Sequence, residues 1–271
     1  ERVLTAPPRH KRVSDPPTLE TELDRARDLR VSALADAIES IGFECTRCGA
    51  CCKGHTTDEG DSEPHTATVF PDEVRRLQAA AGDGDGDGGG GATDAGDGDV
   101  DDDWRDVARP MPYGLSEGED GPTGETFEWA LQTDACGDCA FYEESDGEGA
   151  CTVHDDRPLI CATYPFSVAL GGTTQPMGEA VDSAGPEAPR ADGSVDSEGM
   201  VRAHECEGLG RDISRADAEE LAAALKERAV RELEEAIAVR DNYEPTGVDG
   251  VVVHDSEGAK RPDGTPVGGG D

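Results

Sequence analysis

Hydrophobic residues at a spacing of three to four positions predict three helices along this chain. The first begins after Thr18, a good helix N-cap residue, and ends at Gly42. The second extends from near Pro71 to Gly82, and the third follows Ser214. The apolar positions behind these predictions are Leu19, Leu23, Ala26, Leu34, Ile38 and Ile41 in the first helix, Val74 and Leu77 in the second, and Leu221, Leu225, Leu233 and Ile237 in the third.

Two shorter apolar patterns predict strands. Phe127, Trp129 and Leu131 alternate with polar residues, which is typical of a half-buried strand. Residues 168–170 precede two glycines and predict a second strand and a turn. Helices on either side of short strands and long irregular segments predict an α+β fold with much irregular structure.

Segments rich in glycine, proline and acidic residues separate these elements and are predicted to be flexible. What remains is a single domain over residues 18–241, which ends in a helix at about 215–241. The predicted flexible segments are an N-terminal arm over residues 1–17, two acidic insertions over about 82–125 and 176–199, and a tail over 242–271.

The charge of the chain narrows the choice of partners. Its 61 acidic residues outnumber its 24 basic residues and give a formal charge of −37, which would repel nucleic acid and anionic membranes. Only four of the basic residues are lysines. High salt would screen the self-repulsion of such a chain, so the composition predicts adaptation to a salty cytoplasm, as in an extreme halophile. An ordinary acidic protein with disordered acidic loops is the alternative.

The chain shows neither an apolar stretch of membrane-spanning length nor an N-terminal secretory signal, which predicts a cytoplasmic protein. In a reducing compartment, cysteines are rarely a disulfide scaffold. The nine cysteines of this chain are therefore predicted to be metal ligands or redox thiols.

Four cysteines lie within eight residues, directly after the first predicted helix: Cys45, Cys48, Cys51 and Cys52. Three thiolates at two-residue intervals on one loop can converge on a single centre, as zinc or an iron-sulfur cluster requires. Adjacent side chains usually diverge, so we expect Cys51 and Cys52 to serve different centres or opposite sides of one. The loop therefore predicts metal binding.

The remaining cysteines lie in distinctive local sequences. Cys139 precedes an aromatic pair, and Cys151 is followed by an Arg-Pro pair, by Cys161 and by a Tyr-Pro-Phe run. Cys206 lies just before a Gly-Leu pair. Together with the first loop, these segments resemble the zinc- or iron-chelating family of YkgJ-like cysteine-cluster proteins, with the CxxCxxCC motif, over roughly residues 35–212.

The resemblance implies a small metal-stapled domain in which eight cysteines bind zinc or an iron-sulfur cluster. Cys136 departs from the family pattern, which leaves its part in metal binding in doubt. Eight thiolates would make two four-ligand sites, or one site with spare redox thiols. The implied ligands are Cys45, Cys48, Cys51, Cys52, Cys139, Cys151, Cys161 and Cys206.

The identity of the metal separates the functions that the sequence predicts. An iron-sulfur cluster predicts electron transfer with an unidentified protein partner or, if the protein is an enzyme, an oxidoreductase. Zinc held by sulfur ligands predicts a structural site. One alternative is a zinc-folded interaction module whose last helix docks a protein partner. Another is a thiol-disulfide oxidoreductase that uses Cys136 and Cys139.

Residues next to the cysteines have predicted supporting roles. Arg157 lies between two cysteines and is predicted to donate hydrogen bonds to thiolate or sulfide; an ion pair with Asp155 or Asp156 is the alternative. Three histidines lie close to cysteines but lack the paired spacing of metal ligands, so they are predicted to be exposed. They are His55, His154 and His204.

Overall fold

The structure is a computed structural model in which helices and strands are mixed along the chain, in agreement with the predicted α+β class. The predicted arm over residues 1–17 lies almost wholly outside the residues that it describes, and so do residues 83–102 of the first predicted insertion. The described residues are 17–56, 60, 62–82, 103–118, 121–171, 179–189 and 195–268.

Two helices, α1 (Leu19–Asp28) and α2 (Val31–Ile41), replace the single helix predicted after Thr18. The chain turns at Leu29, whose side chain is buried and whose carbonyl accepts a hydrogen bond from Lys226 Nζ at 2.7 Å. Neither glycine nor proline marks this turn. The regular spacing of the apolar residues therefore predicted one continuous helix. That part of the helix prediction was wrong.

The other predicted helices are confirmed. Helix α3 (Pro71–Gly82) has the predicted bounds, and a short helix α4 (Leu159–Thr163) follows later in the chain. Helix α5 (Arg215–Asn242) begins after Ser214, whose Oγ accepts a hydrogen bond from the Asp217 backbone N–H at 3.2 Å. Both α1 and α2 pack against α5. None of the helices in the described part of the chain is long and apolar enough to cross a bilayer.

The strands within the described residues are short, apart from one long hairpin. All neighbouring pairs are antiparallel except one parallel pair, between residues 251–253 and 124–126. The strands are β1 (His55–Thr56), β2 (Ser62–Glu63), β3 (Thr68–Val69), β4 (Ala108–Pro110), β5 (Leu115–Gly118), β6 (Gly121–Thr126), β7 (Trp129–Leu131), β8 (Tyr142–Ser145), β9 (Glu148–Cys151), β10 (Phe166–Val168), β11 (Ala180–Pro189), β12 (Val195–His204), β13 (Val251–Asp255) and β14 (Gly258–Lys260).

The first hydrophobic core forms where α1, α2 and α5 pack on the sheet β10-β12-β11. In this sheet Val168 pairs with Val201, and Phe166 pairs with Ala203; all four side chains are buried. Helix α5 contributes Leu225 and other residues at helical spacing, as predicted. This core holds the N-terminal and C-terminal helices together.

The second hydrophobic core surrounds Trp129, on the predicted strand β7 in the middle of the sheet β3-β7-β4. The Trp129 ring packs edge-on against Trp104, with ring centroids 4.9 Å apart, and its Nε1–H donates to Asp255 Oδ2 at 2.9 Å. Helix α3 adds Val74 and Leu77, which are fully buried. Cys139 belongs to this core, and Cys52, Cys151 and Cys161 pack against it.

Three segments that the sequence predicts to be flexible contain regular structure instead. Within the predicted insertion over 176–199, β11 and the first part of β12 pair in a hairpin, which extends the sheet over α2. Within the predicted tail over 242–271, β13 pairs with β6 and β14, and Val252 and Val253 are fully buried. The other predicted insertion, over about 82–125, contains β4, β5 and most of β6 among its described residues. These predictions gave composition more weight than short apolar runs, which find partners only in the folded chain.

Candidate metal centre

The first cysteine loop extends from Cys45 to Cys52 and ends in a single 3₁₀ turn over Ala50–Cys52. Gly49 begins this turn with a left-handed φ of 74°, and its carbonyl accepts a hydrogen bond from the Cys52 N–H at 2.8 Å. A Cβ at Gly49 would lie 2.1 Å from the Tyr142 hydroxyl oxygen, so the position requires glycine for space as well as for φ. The turn brings the last two cysteines of the loop against the β8-β9 hairpin.

The start of the loop is held by the segment that carries Cys206. The Glu44 N–H donates to the Gly208 carbonyl at 3.0 Å, and the Gly210 N–H donates to the Gly42 carbonyl at 3.0 Å. These bonds place Cys206 beside the entrance of the loop, although more than 150 residues separate them in sequence. The Phe43 ring meanwhile packs on Phe166 of the first core, with centroids 5.7 Å apart.

The end of the loop is held by the segment that carries Cys139. The Cys139 N–H donates to the Cys52 carbonyl at 2.8 Å, and the Gly149 N–H donates to the Arg47 carbonyl at 2.8 Å. In the β8-β9 hairpin, Cys151 lies opposite Tyr142. Backbone hydrogen bonds therefore join the first loop to the segments of both Cys139 and Cys151.

Cys161 lies on α4, which a buried glutamate attaches to α3. The Glu73 side chain is 1% exposed; its Oε1 accepts from the Leu159 N–H at 2.9 Å, and its Oε2 accepts from the Phe70 N–H at 3.1 Å. Burial raises the pKa of Glu73, while these two hydrogen bonds oppose the rise. Sequence reasoning missed this residue, since its only signal was an acidic residue in the first turn of a helix, which is common.

The thiols influence one another electrostatically. Burial raises the pKa of Cys139 to about 11, and the charges of Cys151 and Cys51 add to the effect. Burial also raises the pKa of Cys161, followed by the charges of Cys139, Cys51 and Cys151. For Cys206, burial again raises the pKa, and the contributing thiols are Cys48, Cys51 and Cys45. Cys51 thus lies close enough to affect thiols on both sides of the loop.

The donor set fits a soft metal ion, but it is not arranged as a finished coordination shell. All nine cysteines are free thiols, and the Sγ atoms of Cys51 and Cys52 are 3.8 Å apart. Within the described part of the chain, no group of three or more His, Cys, Asp or Glu side chains is positioned to hold a metal ion. Sulfur donors suit zinc and iron-sulfur clusters alike, so the chemistry fits, and binding would require the thiols to move together.

The Arg157 side chain, predicted to support the cysteines, makes a hydrogen bond to the backbone. Arg157 donates from Nε to the His154 carbonyl at 2.9 Å, and its positive charge acts on Cys51 and Cys151. Asp155 is one of the two predicted ion-pair partners of Arg157. Its Oδ1 lies 3.4 Å from His154 Nδ1. A direct role of Arg157 at a cluster stays a prediction.

The histidine prediction is right for two residues and wrong for the third. The side chains of His55 and His154 are exposed, whereas His204 is 5% exposed at the end of β12. Its Nε2 lies 2.8 Å from Ser167 Oγ, and burial lowers its pKa. His204 belongs to the sheet of the first core, because the strand turns its side chain inward.

Cys136 lies on the outside of a tight turn. It is exposed, and its backbone N–H donates to Asp134 Oδ1 at 2.8 Å, which also accepts from the Asp138 N–H at 3.0 Å. The carboxylate of Asp138 in turn accepts a hydrogen bond from the Gly54 N–H at 2.9 Å. The turn therefore positions Cys139 and leaves Cys136 facing water.

The fold and the set of cysteine sulfur donors define a small α+β protein whose cysteine-rich centre suits metal chelation. Residues 44–207, more than half of the chain, match the model of the CxxCxxCC family, described as a putative zinc- or iron-chelating domain. The chain belongs to this family, as the sequence resemblance indicated, and the matched segment contains all nine cysteines. No curated protein and no solved structure matches it.

Proposed function

We propose that this protein binds zinc or iron through eight cysteines brought together from five parts of the chain. The observation that carries the proposal is the pair of attachments of the first loop, to Gly208 at its start and to Cys139 at its end. Cys136 is left out of the ligand set because it departs from the family's cysteine pattern and lies on the outside of its turn. The proposed ligands are Cys45, Cys48, Cys51, Cys52, Cys139, Cys151, Cys161 and Cys206.

Binding would also stabilise the fold, because the first loop lies between the two hydrophobic cores. Phe43, at its start, packs against the first core, and Cys52, at its end, packs against the second. A metal held by ligands from both sides would link the cores, and its binding free energy would add to the free energy of unfolding. This chain's own residues supply the sulfur donors and the backbone bonds that bring them together.

The alternative functions have weaker support. A dithiol enzyme often places its attacking cysteine at a helix N-terminus, whereas Cys136, the exposed member of the pair, lies in a turn. An interaction module would need a free apolar face on α5, but the buried residues of that helix pack against α1 and α2. A redox role through an iron-sulfur cluster stays open to test, with an electron-transfer partner of unknown identity.

Free thiols and acidic composition support a reducing, salty cytoplasm as the setting. Nine free cysteines would oxidise in an oxidising compartment, and a formal charge of −37 favours a high-salt environment. We therefore infer that the protein works in the cytoplasm of a halophile.

Anaerobic purification followed by metal analysis and a visible spectrum tests the proposed function. Iron with acid-labile sulfide and a brown colour would support a cluster, and stoichiometric zinc in colourless protein would support a structural site. The Cys151→Ser variant is expected to lose metal, while the Cys136→Ser variant keeps the wild-type content. Protein that retains no metal, or loses it equally in both variants, would contradict the proposal.

A further inference from the structure

The eight proposed ligands lie in two different environments. Cys139 is buried among the apolar residues of the second core, and Cys52, Cys151 and Cys161 pack against that same core. We call these four residues the inner set. By contrast, Cys45 is exposed, and Cys48 and Cys206, although half-buried as Cys52, Cys151 and Cys161 are, lie outside the second core as the described residues form it. We call these three the outer set.

The backbone supports the same division. The inner set is joined by the hydrogen bond from Cys139 to Cys52 and by the β8-β9 hairpin that carries Cys151. The outer set is joined by the bonds between residues 42–44 and residues 208–210. The segments of Cys139 and Cys206 are therefore attached at opposite ends of the first cysteine loop, while the β8-β9 hairpin is attached at Arg47 within it.

Cys51 lies between the two sets. Its Sγ is 3.8 Å from that of Cys52 in the inner set, and it follows Cys48 of the outer set by three positions in the same loop. It is thus placed to complete either group. Its behaviour does not decide the inference below.

We propose that the inner set retains its metal ion, whereas the outer set holds a second ion that exchanges with the solvent. This inference rests on the proposed function. A chelator reaches buried ligands only when the surrounding structure opens; Cys139 is buried within the second core, and the other three residues of the inner set pack against it. The exposed Cys45 lets a chelator attack the outer ion directly. The outer set would then be the place where zinc enters and leaves the protein.

Pulsed alkylation of the wild-type protein during zinc removal tests the division without any substitution. Zinc-loaded protein is mixed with a chromogenic chelator, and samples are treated with iodoacetamide at increasing times and analysed by peptide mass spectrometry. We expect Cys45, Cys48 and Cys206 to become alkylated at least about tenfold faster than Cys139, Cys151 and Cys161. Cys136, exposed and outside both sets, should react from the start and serves as the internal standard.

Zinc release measured on two variants completes the test. Wild-type protein is expected to release zinc in a fast and a slow phase. The Cys206→Ser variant should lose the fast phase and keep the slow one, and Cys136→Ser should keep both. Alkylation of all six cysteines at one common rate, or loss of the slow phase in Cys206→Ser, would overturn the division while leaving metal binding intact. Failure of the wild-type protein to bind zinc or iron at all would overturn the proposed function, and this inference with it.

Discussion

Gly49 and Tyr142 show at the residue scale how closely the cysteine loop is packed. The backbone at Gly49 has a φ of 74°, and the Tyr142 hydroxyl occupies the space where a Cβ would lie. The same hydroxyl donates to Glu144 Oε2 at 2.8 Å, and Glu144 also pairs with Lys53. The tyrosine is therefore held in place, and a side chain at position 49 has to displace it.

The Gly49→Ala variant is expected to be destabilised by strain and by this collision. Gly147→Ala is the matched control, because Gly147 also has a positive φ of 83° but has no atom within 4 Å of the point that a Cβ would occupy. Left-handed backbone costs both variants about 1 to 2 kcal/mol, and overpacking adds about 1 to 3 kcal/mol at Gly49 alone. Urea denaturation of the two variants measures the difference. Equal losses of stability would show that Tyr142 does not confine the loop.

His65 gives a second prediction at the residue scale. Its ring is 9% exposed, and burial lowers its pKa from 6.5 to about 4. Between these values the unfolded chain binds the proton more readily than the folded chain, so protonation of His65 lowers stability as the pH falls from 6.5 towards 4. The expected contribution is up to about 1.4 kcal/mol for each pH unit in that window.

The His65→Gln variant is expected to show a shallower loss of stability with acid than the wild type. His55→Gln provides the control at an exposed histidine. Denaturation midpoints at several pH values between about 4 and about 7 measure the two slopes. Parallel curves for the wild type and His65→Gln would mean that this ring does not contribute to acid sensitivity.

At the scale of elements, Glu73 connects α3 to α4 and so determines where Cys161 lies. Its two carboxylate oxygens accept backbone N–H groups from Phe70 and Leu159, and both bonds are part-buried. The amide of Glu73→Gln can replace only one of these acceptors. Its NH₂ group would face a backbone N–H, which leaves a buried donor without a partner.

The Glu73→Gln variant is expected to lose about 1 to 3 kcal/mol of stability and to bind metal more weakly, because α4 is released. Asp72→Asn is the matched control, since Asp72 is the exposed neighbour that pairs with Arg231. Chemical denaturation and zinc titration of both variants check this prediction. A Glu73→Gln variant with wild-type zinc affinity would separate the position of α4 from the metal site.

The sequence predicts elements well where apolar spacing and capping residues agree, as in α3 and at the start of α5. It fails at Leu29, because the turn there depends on contacts with α5 rather than on a local breaker. It fails again for β13, which pairs with β6, more than 100 residues away, as well as with the adjacent β14. At the candidate centre, the cysteines are recognisable by their spacing in the sequence. Which of them pack against the second core depends on the folded chain and has no signal in the local sequence.

At the scale of the whole molecule, charge repulsion opposes folding. A formal charge of −37 is spread over the chain, and several exposed arginines pair with carboxylates, as Arg215 does with Asp36 at 2.5 Å and Glu39 at 2.6 Å. Exposed ion pairs of this kind contribute little to stability, typically about 0 to 1 kcal/mol. Repulsion among the excess acidic residues is therefore expected to outweigh them in dilute buffer.

Raising the potassium chloride concentration is expected to stabilise the folded protein. Between about 0.1 M and about 1 M salt, the screening length falls from about 10 Å to about 3 Å. This screening weakens the repulsion among the excess acidic residues more than it weakens the attraction within the ion pairs. Thermal denaturation over a salt series measures the effect, with the metal content held constant. A melting temperature that stays level or falls with added salt would contradict the interpretation of the acidic composition.

X-ray absorption at the metal edge tests whether sulfur atoms of the cysteines bind the metal. For the anaerobically purified protein, we expect a first shell of sulfur scatterers only, at about 2.3 Å from zinc or iron. A first shell of nitrogen or oxygen at about 2.0 to 2.2 Å would contradict it.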